Sequence, residues 1–393
     1  MKFSRLTTSF NADCPSIKFG TAEEKKVLEV IRSGHLFSAH GNRVTKLAER
    51  IADEYNVLSC TMVSSGTAAI HVGLGAVGVD FGDEVITPPI TDTGTVIPIL
   101  LQGAVPIFAD IDKNNLNISP QSIEEKITSR TRAILVVHYA GYPSDMGAIM
   151  KIARKNDLLV VEDCCQALGA TYRGKRVGTI GDVGCYSTND TKPISCGDGG
   201  FVLTKDEKIA ERARLFHDKG FDRKAEIRNP KFLAPNYRLT ELQAAVLEAQ
   251  FDSFPSRLAK RQHYGTLLDS FITDSKQLRT QIGIAGAKSG YFDWPVFLEK
   301  LEISVLDFCS ELKRQGIRCS PYSLYNVMYK LDFLTKNPPN FFKFLSPIPN
   351  YGEVSCPVAE QVLVRHARIH FSEFDPPTYI EHITNSIGKI AAD

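Results

Sequence analysis

The segment LLVVED, residues 158–163, decides the fold that we expect for this chain. A short apolar run of this kind is typical of a strand buried on both faces of a parallel sheet. Asp163 closes the run, and open α/β sheets bind their ligands just beyond the carboxyl ends of their strands. A carboxylate that is buried there requires a cationic partner or strong hydrogen-bond donors. The alternative interpretation is that Asp163 is an ordinary turn or cap residue. The segment therefore predicts a parallel sheet with a candidate ligand-binding aspartate at its edge.

Similar β-branched runs alternate with amphipathic segments from about residue 20 to about residue 250. This alternation predicts βαβ units and an α/β fold whose large domain has a mainly parallel mixed sheet flanked by helices. After a helix predicted at Thr240–Phe251, the sequence becomes basic and less periodic. We therefore expect an N-terminal arm and large domain at residues 1–253, and a smaller C-terminal α+β domain at residues 254–393. The strands predicted in the large domain are Glu84–Thr87, Val105–Ala109, Ala133–His138, Leu158–Glu162, Val183–Ser187 and Phe201–Thr204.

The composition limits the partners that we expect. The chain of 393 residues has a formal net charge of +1, and a nearly neutral protein does not attract nucleic acid. Its nine cysteines lack zinc-ligand spacing, which favours reduced thiols over disulfides or a metal site. The N-terminal segment MKFSRLTTSFNADCPS has no apolar core, and no run approaches the length of a membrane span. We therefore expect a cytoplasmic protein without membrane association.

A second candidate site is the segment SSGT, residues 64–67, which directly precedes an apolar helical pattern. Backbone N–H groups and a hydroxyl at the first turn of a helix form a ready anion site. The alternative is an ordinary helix cap. The segment therefore indicates an anion site only in combination with other residues.

A third candidate is YSTNDTKPISCGDGG, residues 186–200, which again follows a predicted strand. Ser187 offers a hydroxyl at the end of that strand. Lys192 is followed by Pro193, which disfavours helix at the lysine and keeps the segment extended. A lysine in such a position can serve as a covalent attachment point for a carbonyl cofactor, whereas the alternative is a solvated surface lysine.

Taken in order, these motifs resemble those of the DegT/DnrJ/EryC1/StrS family, the fold type I aminotransferases that act on sugars and aminocyclitols. The resemblance covers nearly the whole chain. It rests on SGTAA at 65–69, GDEVITP at 82–88, PIFADID at 106–112, VH at 137–138, PSDM at 143–146, VEDCCQA at 161–167, the stretch 187–200 and NYRLTELQA at 236–244.

The resemblance implies a cofactor, pyridoxal 5'-phosphate, with its pyridoxamine form as the intermediate. Lys192 matches the lysine that holds the cofactor as an internal aldimine and shuttles a proton during the reaction. Asp163 matches the carboxylate that pairs with the pyridine nitrogen and keeps the ring an electron sink. Gln166 matches an amide beside the ring hydroxyl.

The resemblance also implies the phosphate contacts and the assembly. Gly66, Thr67 and Ser187 match residues that bind the phosphate. Asn236 matches an asparagine that reaches the phosphate of the neighbouring subunit, so we expect a homodimer with shared active sites.

One position departs from the family pattern. Where many members carry an aromatic residue that stacks on the cofactor ring, this chain has PPITDTG at 88–94, and Asp92 falls at the stacking position. An aspartate cannot stack. Either another side chain covers that face of the ring, or Asp92 contacts a substrate hydroxyl.

The resemblance implies transfer of an amino group from glutamate or glutamine to the ketone of a sugar, a sugar nucleotide or a cyclitol. Such a reaction belongs to amino-sugar biosynthesis, for an antibiotic or a polysaccharide. Two alternatives remain: a sugar dehydratase of the same fold, or a regulatory protein that binds the cofactor without turnover. Lys192 argues against the dehydratase, because that branch carries a histidine in its place.

Overall fold

A computed structural model describes residues 19–227, 229–321 and 326–392. The predicted N-terminal arm begins in residues 1–18, which lie outside the described residues. Among the helices that the structure describes, none is both long and apolar enough to cross a membrane.

The helices and strands follow one another along the chain in the alternating order that the sequence predicts. The helices are α1 (Thr21–Ser33), α2 (Arg43–Tyr55), α3 (Gly66–Ala76), α4 (Thr93–Leu101), α5 (Pro120–Lys126), α6 (Met146–Lys155), α7 (Glu207–Phe216), α8 (Glu241–Ile272), α9 (Val305–Arg314), α10 (Asp332–Thr335), α11 (Pro357–Leu363) and α12 (Pro377–Ala392). The strands are β1 (Ser59–Val63), β2 (Glu84–Thr87), β3 (Val105–Phe108), β4 (Thr131–Val137), β5 (Leu159–Asp163), β6 (Thr171–Tyr172), β7 (Lys175–Arg176), β8 (Val183–Ser187), β9 (Gly200–Thr204), β10 (Leu278–Thr280), β11 (Ala287–Lys288), β12 (Trp294–Leu298), β13 (Cys319–Pro321) and β14 (His366–Ile369).

The large sheet has seven strands in the order β1-β9-β8-β5-β4-β2-β3. Neighbours from β8 to β3 run parallel, whereas β9 is antiparallel to both β8 and β1. Successive residues of a strand point to opposite faces of the sheet. In β4, Ala133 and Leu135 belong to one buried cluster, and Ile134 and Val136 belong to another, so both faces of the sheet are covered. The mainly parallel mixed sheet is therefore confirmed.

The helix predicted at Thr240–Phe251 is longer than the sequence indicated. It begins with a capping box at Thr240 and continues through Pro255 to Ile272 as α8. Residues of α8 up to Phe254 pack in the core of the large sheet, and residues from Tyr264 onward pack in a second core. The predicted end was wrong because the change in polarity marks where the helix passes from one core to the other.

The second core belongs to a four-stranded antiparallel sheet in the order β10-β12-β14-β13. The helices α9 and α12 contribute buried residues to it. The strand β12 begins only at Trp294; Tyr291, three residues earlier, has φ = 50°, a left-handed conformation that a strand does not adopt. The segment directly before β12 of this sheet contains Phe292, which contacts Lys192.

Candidate active site

Asp163 ends β5, between β4 and β8, and its side chain is buried. Its Oδ2 accepts a hydrogen bond from the Thr95 hydroxyl at 2.8 Å, and its Oδ1 accepts one from the backbone N–H of Cys165 at 3.0 Å. Thr95 lies in the first turn of α4, and no local sequence pattern indicates this contact. Because an ionised carboxylate offers about four acceptor sites, Asp163 retains capacity for one further donor.

The start of α3 lies against the end of β8. Ser65 caps the helix by accepting from the N–H of Ala68 at 3.0 Å. A Cβ atom placed on Gly66 would lie 2.6 Å from Ser187 Cβ and 3.0 Å from Cys165 Sγ. A side chain would fill this space, so only glycine lets the helix N-terminus approach the Ser187 hydroxyl.

Thr67 lies one residue further into the helix, facing the start of α4. A Cβ atom on Gly94 would lie 2.7 Å from Thr67 Oγ1. The first turns of α3 and α4 therefore lie close together.

Lys192 lies in the irregular segment between β8 and β9, and its side chain is half-buried. Its Nζ is 4.5 Å from the centroid of the Phe292 ring, which comes from the segment before β12. The carbonyl of Pro193 accepts a hydrogen bond from Arg257 Nη1 at 3.0 Å, which fixes the backbone beside the lysine. Sequence reasoning missed both Phe292 and Arg257.

The Cys165 thiol is within electrostatic reach of both Lys192 and Asp163. Burial raises the pKa of this thiol well above its usual range; the Asp163 carboxylate adds to the rise and the Lys192 ammonium opposes it. Both charges therefore act on one sulfur atom, which also lies beside Gly66 and Ser187.

Gln166 is oriented by the backbone of the turn after β4. Its Oε1 accepts from the N–H of Ala140 at 2.9 Å. This bond fixes which end of the amide is the oxygen, so that Nε2 is the end available as a donor.

Asp92, the residue at the stacking position, caps α4. Its side chain is exposed, and its Oδ1 accepts from the N–H of Gly94 at 2.7 Å. The departure from the family pattern thus has a local structural role, since aspartate is a preferred N-cap residue and supports a helix N-terminus through its charge.

Asn236 lies beside Tyr237, whose carbonyl accepts from the N–H of Ser64 at 2.8 Å. It is exposed, and an isolated bridge pairs its backbone with that of Asp218. Arg223 and Arg238 both form ion pairs with Asp218 and thereby hold the segment. Among the described residues, no contact joins Asn236 to Lys192, Asp163 or Ser187 of the same chain.

A buried group next to the site, formed by His138, Glu162 and Cys164, has the residue types of a metal site. Glu162 already accepts from the N–H groups of Gly178, Ile180 and Gly181 and from His138 Nε2. The other ring nitrogen of His138 accepts from the N–H of Ser144 at 3.0 Å. Because these hydrogen bonds already use the potential ligand atoms of both side chains, we interpret the group as a structural anchor of the loop 178–181.

The residues fit pyridoxal phosphate on chemical grounds. Gly66, Thr67 and Ser187 offer backbone N–H groups and hydroxyls at a helix N-terminus, which are suitable donors to a phosphate, and the absence of a side chain on Gly66 allows the close approach of Ser187. Asp163 can accept from a protonated ring nitrogen, and Lys192 supplies the amine.

The chain is similar to known proteins over most of its length. A model of the DegT/DnrJ/EryC1/StrS aminotransferase family matches residues 18–341. GDP-perosamine synthase of Escherichia coli O157:H7 is 34% identical over 261 residues, which are 66% of this chain and 71% of that protein. A putative L-glutamine:3-amino-2,3-dideoxy-scyllo-inosose aminotransferase of Micromonospora echinospora is 41% identical over 210 residues, 53% of this chain and 50% of that protein. The solved structure of the aminotransferase from Psychrobacter cryohalolentis has a TM-score of 0.87 at 27% identity, covering 96% of this chain and 98% of that chain.

Proposed function

The chain belongs to the DegT/DnrJ/EryC1/StrS aminotransferase family, and we propose that it moves an amino group from glutamate or glutamine to the ring ketone of a sugar, a sugar nucleotide or a cyclitol. The proposal includes pyridoxal phosphate as the cofactor, attached covalently to Lys192. The observation that carries it is the convergence of Lys192, Asp163 and Ser187 at one edge of the large sheet.

Each residue has a defined task in this proposal. When bound, pyridoxal phosphate supplies an electron sink for the carbon that loses its proton. Lys192 Nζ moves that proton in both halves of the reaction, acting as a base and then as an acid. Asp163 accepts from the pyridine N–H and keeps the ring positive. Gln166 Nε2 donates to the ring hydroxyl, and Gly66, Thr67 and Ser187 bind the phosphate.

The acceptor class follows from the relatives. One is named for GDP-perosamine and another for an amino-dideoxy-scyllo-inosose, so a nucleotide sugar and a free cyclitol both occur among proteins of similar sequence. The first name gives a product and the second an acceptor; both have a hydroxylated six-membered ring, and transfer of an amino group to such a ring requires a ketone on it. We extend that shared feature, rather than either individual substrate, to this chain.

We also propose a homodimer in which Asn236 reaches the phosphate of the partner's site. Asn236 is exposed on its own chain, as are two apolar side chains of the same loop, Ile227 and Leu233, with exposed fractions of 79% and 98%. Large apolar side chains that are exposed to this degree are typical of a surface covered by another subunit. A two-fold dimer repeats the exchange in both directions.

The central test is Lys192→Ala. The purified protein should be yellow, and Lys192→Ala should lose the visible band of the bound cofactor while keeping the circular dichroism spectrum of the folded chain. The matched control, Lys208→Ala, removes an exposed lysine of α7 and should keep the band. Treatment with borohydride followed by peptide mass spectrometry should locate the cofactor on Lys192. A borohydride-stable adduct in Lys192→Ala would overturn the assignment.

A further inference from the structure

Four polar residues lie on one face of the four-stranded sheet. Asp293 directly precedes β12, Arg368 belongs to β14, His370 directly follows it, and Ser320 belongs to β13. The register pairs Ser320 with Arg368 and places Asp293 next to His370. Because side chains on opposing residues of an antiparallel pair project from the same face, all four form one polar patch.

Three of them form a continuous chain of hydrogen bonds. His370 Nδ1 lies 2.7 Å from Asp293 Oδ1, and His370 Nε2 lies 3.0 Å from Ser320 Oγ. An ionised carboxylate only accepts, so Nδ1 of His370 carries a proton towards Asp293, and in the corresponding neutral tautomer Nε2 is the acceptor for the Ser320 hydroxyl. Asp293 is buried, whereas the His370 side chain is 33% exposed, so the outer end of the chain is accessible.

The patch adjoins the segment that contacts Lys192. His366 lies on the same face of β14, and its Nε2 is 3.3 Å from the hydroxyl oxygen of Tyr139, which follows β4. Phe292, the neighbour of Asp293, lies under Lys192 Nζ. Burial alone would raise the pKa of Asp293, but His370, Arg368 and the ammonium of Lys192 together lower it to about 2. The carboxylate is therefore within electrostatic reach of the lysine.

We propose that Ser320 and His370 bind a ring hydroxyl of the acceptor, and that Asp293 is a positioning residue that fixes the histidine. The inference rests on the function proposed above. A ring hydroxyl that takes the place of the direct Ser320–His370 hydrogen bond can accept from the Ser320 hydroxyl and donate to an unprotonated His370 Nε2. The Asp293 bond fixes the tautomer of His370, so the acceptor meets a preorganised pair. An amino acid donor has no hydroxyl for this pair, which ties the pair to the acceptor half of the reaction.

The experiment measures the two half-reactions separately. The pyridoxal-loaded protein is mixed with glutamate or glutamine, and the change in the visible spectrum gives the rate of the donor half. The pyridoxamine-loaded protein is then mixed with scyllo-inosose, 2-deoxy-scyllo-inosose or a guanosine-diphosphate keto-sugar, which gives the acceptor half.

Ser320→Ala should raise the acceptor concentration for half-maximal rate about fivefold, the worth of one neutral hydrogen bond, and leave the donor half unchanged. Asp293→Asn should act in the same direction, because it no longer fixes the tautomer. The control Ser310→Ala removes an exposed serine of α9 that bonds only within its helix, and should change neither half. Fluorescence of Trp294, the one tryptophan of the chain and the neighbour of Asp293, provides a check of folding that does not depend on activity.

Three results would overturn the inference. One is an unchanged acceptor half in a folded Ser320→Ala. Another is a loss confined to the donor half, which would assign the patch to the amino acid. The last is labelling of Ser320 by a fluorophosphonate, since the same chain of groups activates a nucleophilic serine in hydrolases. If the wild type responds to neither donor, the proposed function itself fails, and this inference fails with it.

Discussion

Replacing Glu373 with glutamine should destabilise the protein more than any single surface change. Glu373 is 3% exposed and accepts from Arg261 Nε at 2.8 Å, with Arg257 Nη1 at 3.4 Å. One buried carboxylate thus balances two guanidinium groups that are themselves largely buried. Burial lowers the pKa of Arg257, and the charge of Glu373 opposes that effect.

The magnitude follows from the loss of one partner of a buried pair. Glu373→Gln keeps the shape of the side chain but takes the paired carboxylate from the buried Arg261 and one of the two carboxylates that act on Arg257, which costs about 3 to 5 kcal/mol. That is a large share of the roughly 5 to 15 kcal/mol that stabilise a typical domain. The cost should be visible as a lower urea midpoint by circular dichroism, with all proteins at one concentration because assembly affects the midpoint.

The consequence should extend to the active site. Arg261 Nη1 donates to the carbonyls of Tyr291 and Phe292, and Arg257 donates to the carbonyl of Pro193. These are the backbone segments on either side of Lys192. A folded fraction of Glu373→Gln should therefore bind pyridoxal phosphate more weakly than the wild type.

The matched control is Glu124→Gln, which removes a carboxylate that pairs with Lys155 on the surface. Exposed pairs contribute little to stability, so its urea midpoint should remain that of the wild type. If Glu373→Gln unfolds at the same urea concentration as Glu124→Gln, the buried carboxylate does not hold the two arginines, and the reasoning is wrong.

Two further predictions concern the site itself. Asp163→Asn should bind pyridoxal phosphate weakly and lose about a hundredfold or more in rate, because the neutral amide no longer stabilises a protonated ring nitrogen; near-wild-type transamination would leave Asp163 a structural role only. Mixing inactive Lys192→Ala with a cofactor-deficient Asn236→Ala, under conditions of subunit exchange, should restore activity towards one intact site per dimer. Heterodimers that form without recovered activity would show that Asn236 acts within its own chain.

The sequence predicted the parts of the site that lie at ends of secondary structure. A buried β-branched run followed by Asp163, and a strand followed by Ser187, mark such ends through local patterns alone. Thr95 and Arg257 were missed because their contacts with Asp163 and Pro193 join residues 68 and 64 positions apart. Neither residue carries a local signal, since a threonine in the first turn of a helix and a basic residue in a long helix are both ordinary.

Contacts between residues far apart in the sequence also explain why the end of the long helix α8 was predicted too early. Arg257 and Arg261 are four residues apart and so lie on one face of α8. Arg257 donates to the carbonyl of Pro193, next to Lys192, whereas Arg261 donates to the carbonyl of Phe292, before β12. A helix that ended at Phe251 could not hold both. Because α8 also contributes residues to both cores, it fixes the distance between the two walls of the Lys192 site. The four-stranded sheet therefore cannot move relative to the large sheet, and Phe292 cannot move away from Lys192, unless the hydrogen bonds of Arg257 or Arg261 break.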